Sequence, residues 1–299
     1  MRSGRFAEAW QISDAVLKAR AGTSSSHLPL HFRWVWNGAS LTGKRVLVRC
    51  YHGLGDTIQF VRYLPLLHNT AAQVILCAQP ALLELLRYAR GIDGLIPMGG
   101  DNPAVPFDEE VEIMELPHIF RSDLSNLPCA VPYLHLPQVA TVAPSTTNEL
   151  AVGIIWKAGE WDDRRSVPVS LLSALKDVPH VTLHALQRGD ELRNWPVAFG
   201  PISGSDRALE LARTMQRLDV IISVDSFTTH LAGALGRPTW TLLHADADWR
   251  WMSDRDDSPW YPTMRLYRQK RAGDWNAVMQ CVAADLHKLV ESSEQKYRQ

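Results

Sequence analysis

The chain is poor in cysteine, in long apolar runs and in net charge. Its four cysteines, Cys50, Cys77, Cys129 and Cys281, form no C-x-x-C pair. They read as reduced, mostly buried thiols of a cytoplasmic protein. No stretch approaches the roughly 18 uninterrupted apolar residues of a membrane-spanning helix, so none is expected. The first residues, Met1-Arg-Ser-Gly-Arg5, lack the apolar core of a signal peptide. Thirty-one Lys and Arg stand against 32 Asp and Glu, a formal net charge of -1. That balance argues against a general nucleic-acid binder, which neutralises phosphates with excess positive charge. What is present is a globular composition, 46% hydrophobic and 21% charged over 299 residues. At roughly 150 residues per domain, this length suggests two domains. No repeat of roughly 20–50 residues is visible.

The pattern of the first forty residues differs from the rest. Phe6, Ala9, Trp10, Ser13 and Leu17 lie at helical spacing, and the loop Ala21-Gly-Thr-Ser-Ser-Ser-His27 follows. A single helix cannot make a domain, so it should pack on a neighbour or on a partner chain. After Gly43, strand and helix alternate. Arg45 to Cys50 predicts a buried strand, then a Gly-rich turn and a helix from about Asp56 with Ile58, Val61, Leu64 and Leu67 on one face. Val74 to Ala78 predicts the next strand, and Pro80 opens the helical run Leu82–Leu86. Glu110 to Leu116 alternates polar and apolar, as a strand with one wetter face would.

Pro128, Pro132, Pro137 and Pro144, followed by Ser145-Thr-Thr-Asn148, mark a linker. A second series begins with strands at Ala151–Trp156 and His180–Gln187, with a helix over Pro168–Asp177 between them. It continues with a helix over Asp206–Leu218 and strands at Asp219–Val224 and Pro238–His244. The reading is an α/β chain with two parallel-sheet domains. Residues 1–40 form a helical extension, 41–145 the first domain and 146–299 the second, whose last helix is a candidate to pack back on the first. Ligands of such sheets sit beyond the carboxyl ends of the strands, here expected between the halves.

Several segments could carry chemistry, each with a plainer reading beside it. Gly53-Leu-Gly-Asp56 follows a strand and opens a helix: Gly53 and Gly55 let backbone approach a ligand, while Asp56 could simply cap the helix. The full G-x-G-x-x-G fingerprint is absent, since position 58 is Ile. Asp225 and Ser226 end an apolar strand and lead into a helix carrying Thr229 and His230. Such a helix start suits a diphosphate, and it equally suits a cap with a packed core histidine. Lys157, Arg164 and Arg165 on a strand-end loop could neutralise phosphates, but Glu160, Asp162 and Asp163 beside them permit an ordinary surface loop. Asp246-Ala-Asp248 fits a D-x-D metal pattern that chance often produces, so no metal is expected. Trp249, Trp251, Trp260, Tyr261, Tyr267 and Trp275, interleaved with arginines, could stack a base or sugar or form a packing lid.

Taken together these stretches resemble glycosyltransferase family 9, the heptosyltransferase-like proteins, and most of all the branch often attached to tetratricopeptide repeats. The likeness rests on Gly53 to Leu67, Arg165-Ser-Val-Pro168, Ser223-Val-Asp225 with His230 to Pro238, Asp248-Trp-Arg-Trp251 with Ser258 to Pro262, Arg268-Gln269 and Gly273-Asp-Trp275. They fall in the family's order over residues 40–290. Tyr51 and His52 depart from the branch's usual Glu-Gln, Phe227 stands where a small residue is common, and the loop after Trp156, with Lys157 and Trp161, is shortened.

The resemblance implies a GT-B architecture, two Rossmann-like domains facing across a cleft, with the nucleotide-sugar held mostly by the second. It implies inverting, metal-independent transfer with no cofactor, from a nucleotide-diphosphate sugar, ADP-heptose foremost, to a glycan or protein acceptor. Asp56 matches the proposed general base, Arg165 a basic residue against the donor phosphates, and Asp225, Ser226 and His230 the donor-binding turn; Lys157 is a further candidate there. Peripheral membrane contact and oligomerisation are left open. The rival readings are a non-catalytic partner protein of the same fold and a GT-B epimerase.

Overall fold

Short, unbroken apolar runs become the centres of two parallel sheets. The computed structural model describes residues 1–99, 105–137, 149–160 and 162–297. The chain divides into two units, Met1–His135 and Leu136–Gln299. The end of the expected linker, Pro144 to Asn148, and Trp161 lie outside the described residues.

In the first unit β1 (Arg45–Arg49), β2 (Gln73–Ala78), β3 (Gly94–Pro97) and β4 (Glu109–Glu112) pair in the order β3-β2-β1-β4, all parallel. Val46, Leu47 and Val48 are fully buried. Burial on both faces is what permits a continuous apolar strand, and each such side chain contributes about 1.5–3 kcal/mol. The helix Phe6–Ala19 belongs to this unit. Its Trp10 indole donates to the Ser122 carbonyl at 2.7 Å, and Asp14 pairs with His118 at 2.9 Å and Arg121 at 2.7 Å.

In the second unit β5 (Leu150–Ile155), β6 (Val181–Ala185), β7 (Val220–Val224), β8 (Thr239–Leu243) and β9 (Met264–Arg268) pair in the order β6-β5-β7-β8-β9, again all parallel. All five residues of β7 are buried. The closing helix Trp275–Tyr297 packs on the helix Ser173–Lys176 and on β9 of its own unit, with the Tyr267 hydroxyl 3.1 Å from Asp285.

Three sequence expectations need correction. The strand expected over 110–116 ends at Glu112, and a 3-10 turn, Ile113–Glu115, and the helix Leu116–Ile119 follow. The cause is a reciprocal cap: the Glu112 carboxylate accepts the Met114 N–H at 2.6 Å, and that of Glu115 accepts the Glu112 N–H at 2.8 Å. Strands β3 and β9 were not expected; the first carries Gly94 and Pro97 at its ends, and the second has arginines at 265 and 268. Of the thiols, Cys50 and Cys77 are buried, whereas Cys129 and Cys281 are exposed.

The strand orders position the chemistry. In β3-β2-β1-β4 the connections run outward from β1 and then reverse, so the switch point lies between β1 and β4. In β6-β5-β7-β8-β9 it lies between β5 and β7. Open parallel sheets bind ligands beyond the carboxyl ends of the strands that flank such a point.

Candidate active site

At the first switch point the chain leaves β1 through Cys50, Tyr51 and His52 and enters the helix Leu54–Phe60. Gly53 is the N-cap, so Asp56 is the third helical residue rather than the cap. Its carboxylate turns back to accept the Gly53 N–H at 3.0 Å. This is the acidic half of a capping box, and the helix dipole favours its charge. A Cβ at position 53 would lie 3.1 Å from that carboxylate, which would have to give by a few tenths of an ångström to admit a larger residue.

The loop is held from below. Gln79, at the end of β2, donates to the carbonyls of Cys50 at 3.0 Å and His52 at 2.8 Å, and accepts the Thr57 hydroxyl at 3.0 Å. Glu112, at the end of β4 and 2% exposed, accepts the Tyr51 N–H at 3.2 Å and lies 3.9 Å from His52 Nε2. Burial pushes the Glu112 carboxyl up to about 8, with the Glu115 and Asp56 charges adding to the effect against the backbone N–H bonds. A buried acid and a partly exposed one therefore flank the same loop. Carboxyls perturbed by burial, as Glu112 is, cluster at functional sites.

At the second switch point the loop after β5 closes on itself, the Val167 N–H donating to the Trp156 carbonyl at 2.7 Å. Within it Arg165 is buried and donates to the Asp225 carbonyl at 3.0 Å. The loop thus anchors the turn after β7. Lys157 Nζ pairs with Glu191 at 2.9 Å. Beyond Asp225, Ser226 stands at the N-cap position of the helix Phe227–Ala234, makes no capping bond through its side chain and lies partly exposed. Helix starts of this kind present backbone N–H groups and a positive dipole end to an anion. Burial raises the Asp225 carboxyl, opposed by the nearby Arg250, Trp251 and Arg165. His230 is buried, stacked on Trp251 at 5.3 Å, and its Nδ1 lies 2.9 Å from the Tyr261 hydroxyl and its Nε2 4.0 Å from Asp225.

The structure thus brings Gly53, Gly55 and Asp56 to one switch point, and Lys157, Arg165, Asp225, Ser226 and His230 to the other. Asp248 accepts the Arg250 N–H at 3.0 Å and pairs with its guanidinium at 3.3 Å, while Asp246 lies 4.0 Å from Arg164. Among the described residues no group of three or more His, Cys, Asp or Glu side chains is placed to hold a metal ion. Trp251, Trp260 and Tyr261 are buried, so that part of the aromatic run is packing and not an open stacking surface. Gln79 and Glu112 were not among the residues expected from the sequence. Position 79 carried no motif, and Glu112 sat in an alternating run that placed glutamates on the wetter face.

No family model matches the sequence. Protein FlbA of Caulobacter vibrioides is 22% identical over 342 residues, covering 97% of this chain and 54% of FlbA. The chain thus spans about half the length of that curated relative. The crystal structure of a glycosyltransferase family 9 protein from Veillonella parvula is 12% identical with a TM-score of 0.63, covering 86% of this chain and 99% of that one. The E. coli ADP-heptose LPS heptosyltransferase II is 14% identical with a TM-score of 0.59, covering 84% of this chain and 99% of its own. The two parallel-sheet units of this chain have the GT-B fold of the heptosyltransferases and of family 9 glycosyltransferases.

Proposed function

We propose that this chain is an inverting glycosyltransferase that moves a sugar from a nucleotide-diphosphate donor to an acceptor hydroxyl. The observation that carries the reading is the coincidence of both candidate loops with the switch points of two separate parallel sheets, in a heptosyltransferase fold. Asp56 is the general base, taking the acceptor hydroxyl's proton as that oxygen attacks the anomeric carbon. Its carboxylate is partly exposed and aimed by the Gly53 N–H, while Gln79 and Glu112 hold the loop beneath it. In the second unit the start of the helix Phe227–Ala234, with Ser226, holds the diphosphate and takes up the charge that grows on it as the leaving group. Arg165 fixes that turn through the Asp225 carbonyl, His230 orients it from within, and Lys157 reaches the donor phosphates by giving up its pair with Glu191. We assign ADP-heptose as the donor, by the name of the heptosyltransferase that shares the fold, and transfer without an essential metal. The compartment is the cytoplasm, which the four free thiols suit.

Release of nucleoside diphosphate from a panel of nucleotide-sugars, with and without glycan and protein acceptors, tests the reading. ADP release from ADP-heptose that depends on acceptor is the expected result. Silence toward every nucleotide-sugar would overturn it in favour of a non-catalytic protein on the same fold.

A further inference from the structure

The N-terminal extension is tied to the loop of Asp56 through a carboxylate to which the proposed reaction gives no part. Glu115 ends the 3-10 turn Ile113–Glu115, between β4 and the helix Leu116–Ile119. Its Oε2 accepts the Glu112 N–H at 2.8 Å and the Trp36 N–H at 3.0 Å, and its Oε1 accepts the Val35 N–H at 3.4 Å. Burial raises the Glu115 carboxyl, and those N–H groups oppose the rise by favouring the charged, acceptor-only form. Glu112 passes the hold on. Its own carboxyl accepts the Tyr51 N–H at 3.2 Å and lies 3.9 Å from His52 Nε2, at the two residues that precede Gly53. The extension's backbone, Glu115, Glu112 and the loop of Asp56 thus form one contiguous polar network. The rest of the extension is fastened to the same segment. Trp36 meets the His118 ring edge-on at 5.6 Å, Trp10 stacks on that ring at 5.6 Å, and Asp14 pairs with His118 and Arg121. Helix 6–19 and strap 33–39 therefore both bear on residues 113–121, which carry the cap that holds the loop. Networks of this kind can carry energetic coupling between distant groups.

We propose that Glu115 is a positioning residue of the transfer reaction, through which the N-terminal extension sets the place of the Asp56 loop. The inference rests on the assignment of Asp56 as the general base.

Steady-state transfer from ADP-heptose and backbone hydrogen exchange, both on the full chain, test it together. Glu115→Ala should lower kcat about 10- to 100-fold, as a misplacement of about 1 Å at a reacting group does. The KM for donor and the affinity for ADP should stay at their wild-type values, and exchange should quicken both at residues 33–38 and at 50–55. Glu115→Gln should keep most of the rate, because its amide oxygen can still accept the Trp36 and Glu112 N–H groups. Glu115→Asp, whose shorter reach cannot span both, should behave as the alanine variant and replaces it if that one does not fold. Trp36→Ala loosens the extension without altering the acid, so exchange should quicken at 50–55 and kcat should fall. Wild-type kcat in folded Glu115→Ala or Glu115→Asp, or a loss in Glu115→Gln as deep as in Glu115→Ala, would overturn the proposal. So would exchange in Trp36→Ala that quickens at 33–38 and stays unchanged at 50–55. A wild-type chain that transfers no sugar would strike instead at the proposed function, while the exchange rates would still decide whether the extension holds the loop.

Discussion

At the scale of single residues, the capping bond of Asp56 and the general-base role proposed for it can be separated by variants. Its carboxylate closes the helix start on the Gly53 N–H, and an amide oxygen can accept that same bond. Asp56→Asn should therefore keep the fold and donor affinity, yet lower transfer by about 100- to 10,000-fold, the usual cost of losing a positioned base. Transfer assays beside thermal unfolding and ADP titration check this, and a folded variant at wild-type rate would remove Asp56 from the mechanism. Glu112 makes a different forecast. Its folded carboxyl keeps a proton up to about pH 8, whereas its ordinary value is 4.5. Between those limits the folded state binds the extra proton, so this group's effect on stability worsens as pH rises through the window. Glu112→Gln should flatten the fall in stability between about pH 5 and 8, as measured by urea unfolding across that range; an unchanged slope would contradict it. Asp56 was legible in the sequence because glycines and a strand end announce it. Glu112 was not, because its burial depends on a neighbouring strand and a helix turn that close over it.

At the scale of elements, the apolar runs of β1, β2, β5, β7 and β8 were readable because two-sided burial leaves so little polar character in them. The edge strands β3 and β9 were not, since an edge tolerates Gly94, Pro97 and Arg265 where a centre would not. The helix Phe227–Ala234 shows how packing fixes the candidate donor turn. A Cβ at Gly233 would come within 2.4 Å of the Tyr261 ring, whose hydroxyl meets His230. Gly233→Ala should cost about 1–3 kcal/mol of stability by overpacking and weaken ADP binding through displacement of His230. Denaturant unfolding reads the first effect and calorimetry the second; a neutral variant would show that the ring can yield. The amphipathic N-terminal helix was also legible, but its docking site was not. Trp10 is 6% exposed and bonded to Ser122, so Trp10→Ala should cost about 3–5 kcal/mol in the first unit, read from urea unfolding. A loss under 1 kcal/mol would mean the helix is only loosely attached.

At the scale of the whole molecule, two parallel sheets with different strand orders each carry a candidate loop at the point where the order reverses. Alternating strand and helix patterns announced two such sheets, and the motif order announced the family likeness. The switch points themselves needed strand neighbours that no local pattern supplies. Among the described residues no helix is long and apolar enough to cross a membrane. In the proposed reaction the turn after β7 receives a nucleotide diphosphate. A crystal structure of the chain soaked with ADP tests this most directly. The expected result is the diphosphate against the backbone N–H groups at the start of the helix Phe227–Ala234, beside Ser226. ADP seated elsewhere, or none bound at millimolar concentration, would contradict it.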